Sequence, residues 1–288
     1  MALGNLASRF LVAVIAAPIL ILAFYQRSPL FTWAIVFAAS LLAMAELFAM
    51  TLPDKRDRTA ALVFGGLTCL AFYWMSPQAL PHKAVWAPLT DSTYAVLCLG
   101  VIAPGLYYLF FFRDMATVAT RYASTVFGIF YAGLLLTVVA ALKRDFAGDR
   151  GGDLVLFALV VMWLGDTGAY FAGRFLGKTK LYEAVSPKKT RAGALGGIAG
   201  SLAAAAVMKL VRLDSLAWID VVLLAVPGAM LGQMGDLVES LFKRSTGVKD
   251  SGSILPGHGG ILDRIDAVLF FAPYMFVYFQ VRAAIGAL

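Results

Sequence analysis

The sequence predicts an all-α, polytopic integral membrane protein with about nine transmembrane helices, and three observations carry that expectation. Of its 288 residues, 61% are hydrophobic and 14% charged, against roughly 45–50% apolar and about 25% charged in ordinary globular chains. A mean hydropathy of +0.82 leaves too little polar sequence to clothe a soluble fold of this length. The apolar residues also fall into runs close to the roughly 20 residues that a helix needs to cross a bilayer.

Each run is bounded by charge, Pro or Gly. Residues 10–26 come first. Arg9 precedes them as in a signal peptide, but the apolar stretch continues past Pro18 to Tyr25 without a convincing small-residue cleavage site, so a helix is expected. Residues 30–52 and 60–76 follow, separated by a charged segment at 54–58. Residues 93–112 end at Arg113, and 122–142 lie between Arg121 and Lys143. The last four runs are 153–172, 193–211, 216–238 and 261–281. No linker, low-complexity tract or soluble-sized polar block interrupts the series, so one membrane domain is expected over 1–288. Cys69 and Cys98 lie in apolar runs and read as small hydrophobes, with neither a disulfide framework nor a metal-binding spacing.

Charge placement sets the expected topology. With the N-terminus inside, sixteen Lys and Arg fall on the inner side and eight on the outer side, as the excess of basic residues in cytoplasmic loops requires. The C-terminus is then outside, and the polar loops 173–192 and 239–260 face the cytoplasm. The overall balance, 24 Lys and Arg against 17 Asp and Glu, points to phosphate-bearing partners or an anionic leaflet.

Ionisable groups at membrane depth cost roughly 2.5–3.5 kcal/mol each and mark functional sites by default. Here they cluster late, as Asp166, Asp236, Glu239, Asp263 and Asp266. On a helix Asp236, Glu239, Ser240 and Lys243 fall at i, i+3, i+4 and i+7, one face, and Asp263 and Asp266 repeat the i, i+3 spacing. A structural alternative pairs these acids with Arg244 and Arg264; five acids in one half of the chain favour function. Carboxylates without Cys or paired His ligands suit a hard cation such as Mg²⁺ held together with substrate phosphates. Lys178, Lys188, Lys189, Lys243, Arg244 and Lys249 would neutralise a polyphosphate, and Gly257, Gly259 and Gly260 allow backbone N–H groups to approach it. Arg56, Arg58 and Arg121 read instead as interfacial, lipid-contacting bases.

Other features carry less. The string A-G-R-F-L-G-K-T, from Ala172 to Thr179, looks like a loose Walker A motif but follows a membrane helix rather than a strand, so a P-loop is rejected. The spacings Gly193, Gly197, Ser201 and Gly196, Gly200, Ala204 read as close helix packing. His82 reads as solvated in an outer loop. His258, flanked by Gly within the polar cluster, stays open between a chemical and a bland role.

The stretch S-L-F-K-R-S-T-G-V-K-D-S-G-S-I-L-P-G-H-G-G-I-L-D-R-I-D, from Ser240 to Asp266, closely resembles the signature of the phosphatidate cytidylyltransferases. D-T-G-A-Y-F-A-G-R-F-L-G-K-T-K-L from Asp166 and S-P-K-K-T from Ser186 to Thr190 resemble the same family, as does a Glu46 near the end of the second run. The chain departs from the pattern at Ala192, where family members usually carry Glu. The resemblance implies a reaction of CTP with phosphatidic acid that gives CDP-diacylglycerol and pyrophosphate. It implies Mg²⁺ and more than one cation, the second being monovalent or Mg²⁺. It implies Asp236 and Asp263 as chief metal ligands, with Asp266 and Glu239 as nearby ligands or supporting groups, and Lys243 and Arg244 as catalytic cations that would bind the triphosphate or the lipid phosphate. Asp166 and Tyr170 would shape a nucleotide pocket. Lys178, Ser186, Lys188, Lys189, Thr190, Ser240, Lys249, Asp250, His258, Gly259, Gly260 and Arg264 would complete the substrate contacts.

Residues 1–150 are then expected to serve mainly as scaffold and lipid access, and 151–288 as the catalytic helices and loops. The expected location is the bacterial inner membrane, with the site facing the cytoplasm. The expected partners are CTP, phosphatidic acid and membrane lipids, without nucleic acid, and a homodimer is left open. Two rival functions share some of these features. A CTP-dependent kinase of polyprenol-type lipids needs similar contacts, and a secondary transporter also carries midplane acids, though usually in repeated halves that this sequence lacks.

Overall fold

The computed structural model describes residues 18–76, 92–146, 150–254 and 259–286, most of them helical. Among these residues seven helices are long and apolar enough to cross a membrane. They coincide with seven of the expected runs. Of the run 10–26, residues 10–17 lie outside the described residues and 18–25 are helical. The run 60–76 overlaps α2, Lys55–Trp74, which starts earlier, with a charged first turn, and ends two residues sooner. His82 and His258 lie outside the described residues.

Two compact units divide the chain. The first comprises Met1–Ala23, Ser28–Asp145 and Asp250–Arg264; the second comprises Phe24–Arg27, Phe146–Lys249 and Ile265–Leu288.

The first unit is built on α1, Leu30–Thr51, which buries Thr32, Val36, Ser40, Ala43, Met44 and Leu47, a helical stripe of i, i+4 and i+7 steps. Met44, Leu47 and Phe48 are fully buried. Glycines let their bulk in: side chains at Gly65 and Gly133 would strike Met44, and one at Gly128 would strike Phe48. Helix α2 starts at an Asp54 cap that accepts from the Arg56 N–H at 2.7 Å. Helix α3, Ser92–Leu97, runs through a π turn, Cys98–Ile102, into α4, Ala103–Phe111. Helix α5, Met115–Gly128, does the same through Ile129–Leu134 into α6, Leu135–Asp145.

The expectation that Arg121 is a lipid-facing base is corrected here. It is buried, and its guanidinium meets the buried Asp57 at 2.7 Å, which also accepts from the Tyr107 hydroxyl at 2.9 Å. Asp57, in the first turn of α2, gives the guanidinium a fixed, buried counter-charge. Arg58 turns back to donate to the Leu52 carbonyl at 2.5 Å.

In the second unit α7, Arg150–Leu176, and α8, Arg191–Val211, pack against each other most extensively. The small-residue spacings explain it. Gly200 lies 3.4 Å from the Gly168 Cα, measured from where its Cβ would be, and a side chain at Gly168 would strike the Gly196 carbonyl. The Ser201 hydroxyl donates to the Val161 carbonyl at 2.9 Å, so the polar group is satisfied across the contact.

The rejected Walker-like string begins in the last turn of α7 and ends in the loop after it, so it has a helix and no strand before it. The polar loop after it contains a hairpin, the one non-helical element among the described residues. Strand β1, Lys180–Tyr182, pairs antiparallel with β2, Ser186–Thr190, in the register Lys180 to Thr190 and Tyr182 to Ser186. Helix α9, Trp218–Ser245, contains Pro227, which cannot donate to the Leu223 carbonyl; the Tyr274 hydroxyl of α10, Leu262–Ala284, does so at 2.5 Å.

Candidate metal and polyphosphate site

The acidic face of α9 forms as its spacing requires. Glu239, Ser240 and Lys243 are buried along it, and Asp236 is half-buried one turn earlier. Helix α10 brings Asp266 to the same place, because Gly235 has no side chain to strike the Asp266 carbonyl. One carboxylate oxygen from each of Asp236, Glu239 and Asp266 then lies within 4.8 Å of the others. Three acids held this close repel one another, and two ammonium groups offset the repulsion. The Lys189 Nζ sits 2.6 Å from Asp236, and the Lys243 Nζ donates to Glu239 at 2.7 Å. The Ser240 hydroxyl donates to Asp236 at 3.3 Å.

The partners are thus Lys189 and Lys243. Arg244, offered as a structural partner, is exposed and donates instead to the Val248 carbonyl at 3.2 Å.

The hairpin explains why one lysine of S-P-K-K-T reaches the cluster. In a strand successive side chains point to opposite faces, so Lys189 turns to Asp236 while Lys188 is exposed. Thr190 is the N-cap of α8, its hydroxyl oxygen accepting from the Gly193 N–H at 3.0 Å. Ser186 pairs across the hairpin with Tyr182, and Ala192 lies in the first turn of α8.

Asp166 borders a cavity of about 20 Å³ with Ser201, Gln233 and Ala267, which is room for one water molecule. Tyr170 is exposed and accepts from Arg174 at 2.8 Å. Lys178 and Lys249 are exposed bases.

The signature segment in the first unit is organised differently. The Asp263 Oδ2 accepts from the Ser251 N–H at 3.0 Å, the Ser251 hydroxyl at 3.0 Å and the Gly260 N–H at 2.8 Å. Gly259 has φ +82°, which favours glycine, and a Cβ there would lie 2.7 Å from the Asp263 Oδ2. Asp250 and Arg264 are exposed.

Glu46 of α1, only 5% exposed, accepts from the Ile261 N–H at 3.0 Å, the Leu262 N–H at 2.9 Å and the Ser251 hydroxyl at 3.0 Å. The sequence reading notes Glu46 as a point of family resemblance without giving it a role, and it passes over Ser251. The signal for Glu46 was an acid inside an apolar run, the same signal that marked the later acids, but it stands alone there.

Three hard oxygen donors at one point, bordered by lysines, fit a divalent cation and a phosphate ligand. Comparison with known proteins agrees with that chemistry. The profile described as "Cytidylyltransferase family" matches residues 7–282. A protein of Staphylococcus epidermidis named phosphatidate cytidylyltransferase is 52% identical over 128 residues, 44% of this chain and 49% of the relative. Proteins of the same name from Bacillus subtilis and Staphylococcus aureus are 48% identical over 126 residues and 47% over 130. The matched stretch spans about half the length of these relatives, 47% and 49% of the latter two.

Proposed function

The chain belongs to the cytidylyltransferase family, and from that premise we propose that it transfers the cytidylyl group of CTP to phosphatidic acid, forming CDP-diacylglycerol and pyrophosphate for phospholipid synthesis. The observation that carries this reading is the convergence of Asp236, Glu239 and Asp266 within 4.8 Å, two of them paired with lysines.

An oxygen of the lipid phosphate forms the new bond to the α-phosphorus of CTP as the bond to the β-phosphate bridging oxygen breaks. The nucleophile arrives ionised, so the protein needs no Ser or His to create one. Its work is positioning and charge neutralisation. The three carboxylates would hold Mg²⁺, with a second cation, monovalent or Mg²⁺, beside it; bound there, the cations draw charge from the phosphate oxygens. Lys189 and Lys243 hold Asp236 and Glu239 in place and present positive charge to the leaving pyrophosphate.

Asp263 and Arg244 are assigned to the reaction on the motif that they occupy. Lys178, Lys188, Lys249 and Arg264 are exposed bases for the triphosphate or the lipid phosphate. Asp166 and Tyr170 are assigned to the nucleotide pocket. The site is placed on the cytoplasmic face of a bacterial inner membrane, where CTP is available. Every group named belongs to one chain, so the proposal does not depend on dimerisation.

Purified protein in detergent, given phosphatidic acid, Mg²⁺ and CTP labelled either in cytidine or at the γ-phosphate, tests the reading. Cytidine label should enter the lipid with matching pyrophosphate release, EDTA should stop it and excess Mg²⁺ should restore it. Entry of γ-label into the lipid, or no product under varied detergent and ion conditions, overturns it.

A further inference from the structure

We propose that Glu46 is a positioning residue: from the transmembrane helix α1 its carboxylate holds the signature segment around Ser251 and Gly260 to Asp263 in its working shape. A carboxylate at membrane depth needs partners, yet no Lys or Arg among the described residues forms an ion pair with Glu46. Its donors are the Ile261 and Leu262 N–H groups and the Ser251 hydroxyl, all from one segment more than 200 positions away. The two amides are at the start of α10, where unpaired N–H groups and the helix dipole favour a negative charge.

The segment is also shaped around this carboxylate. A side chain at Gly252 would lie 2.5 Å from the Glu46 Oε1, and one at Gly260 would lie 2.7 Å from its carboxyl carbon. Two glycines of the signature thus make room for an acid of the protein. Ser251 passes the restraint on. Its hydroxyl oxygen is 3.0 Å from both the Glu46 Oε2 and the Asp263 Oδ2 and shares its one proton between them, so the position of one carboxylate bears on that of the other. Glu46 therefore acts on the reaction through Asp263 and the Gly260 backbone. The kinetic part of this inference rests on the proposed cytidylyl transfer; the anchoring does not.

Full-length protein in lipid nanodiscs, as wild type, Glu46→Gln, Glu46→Asp and Gly252→Ala, tests both parts. In Glu46→Gln an NH₂ group faces N–H donors, and in Gly252→Ala a methyl group displaces an intact carboxylate. Both should speed hydrogen exchange at the Ile261 and Leu262 amides about tenfold or more, the size expected when a charge-assisted hydrogen bond is lost. Both should lower kcat about a hundredfold, as an ångström of misplacement can, while KM for CTP stays near the wild-type value. Glu46→Asp keeps the charge and should recover part of the kcat. Unchanged exchange and kcat in folded Glu46→Gln overturn the proposal. If that variant does not fold, wild-type exchange and kcat in Gly252→Ala overturn it instead. A wild-type protein that makes no CDP-lipid would defeat the proposed activity, and the anchoring would then stand or fall on the exchange data alone.

Discussion

Asp236, Glu239 and Asp266 in the second unit and Glu46 and Asp263 in the first are all acids at or near the ends of apolar helices, yet they meet different donors. The first group converges on itself within 4.8 Å, and its charge is offset by the ammonium groups of Lys189 and Lys243. The second group is bound by backbone N–H groups and one hydroxyl. A lysine is a point charge on a flexible stem, able to follow an incoming phosphate while a cation takes its place at the carboxylate. A backbone N–H cannot leave without moving the chain. The first arrangement suits a site that exchanges ligands, and the second suits the fixing of a loop. A third arrangement, Asp57 with Arg121 and Tyr107, buries its charges in a closed set of contacts and belongs to neither.

The largest effects should come from neutralising the acids. Asp236→Asn and Asp263→Asn are each expected to reduce turnover about 10²–10³-fold or more, comparable to the loss of a key electrostatic group, while membrane insertion is unchanged. Manganese binding followed by electron paramagnetic resonance sharpens the contrast: Asp236→Asn should weaken it strongly, and near-normal turnover in Asp263→Asn would remove that residue from the reaction.

A smaller effect separates the two adjacent lysines. Lys189→Ala should lower kcat/KM about tenfold or more beyond Lys188→Ala, since only the former faces the carboxylates and a charged hydrogen bond contributes roughly 1.5–3 kcal/mol. Equal losses would break the argument from strand alternation. The smallest effect on catalysis should be that of Asp57→Asn. Leaving Arg121 buried without its counter-charge should cost about 3–5 kcal/mol of stability, seen as a lower thermal midpoint in detergent. Turnover per folded molecule should stay within about twofold, since the contacts of this pair are to Tyr107, Thr117 and nearby carbonyls and not to any residue assigned to the reaction; a large fall would join this pair to the site.

Much of the architecture was legible in the chain. The α9 face carrying Asp236, Glu239, Ser240 and Lys243 follows from helical periodicity alone. The glycine and serine steps of α8 were readable as close packing because small residues admit a neighbouring backbone. The hairpin was not legible, because Lys180–Tyr182 and Ser186–Thr190 are short, polar strands without a hydrophobic alternation. Arg121 was misjudged for a related reason: a base near the end of an apolar run looks the same whether its partner is lipid or an aspartate 64 positions away.

By itself, then, the sequence determined that this is a helical membrane protein of the cytidylyltransferase kind, since bilayer thickness, helical period and a contiguous signature are local properties of the chain. The tertiary structure alone decided which charges share a point. Asp266 joins Asp236 and Glu239, Lys189 rather than Lys188 reaches them, and Glu46 holds a segment more than 200 residues away. Such pairings arise where helices cross and strands turn, and there the separation along the chain carries no information about distance in space.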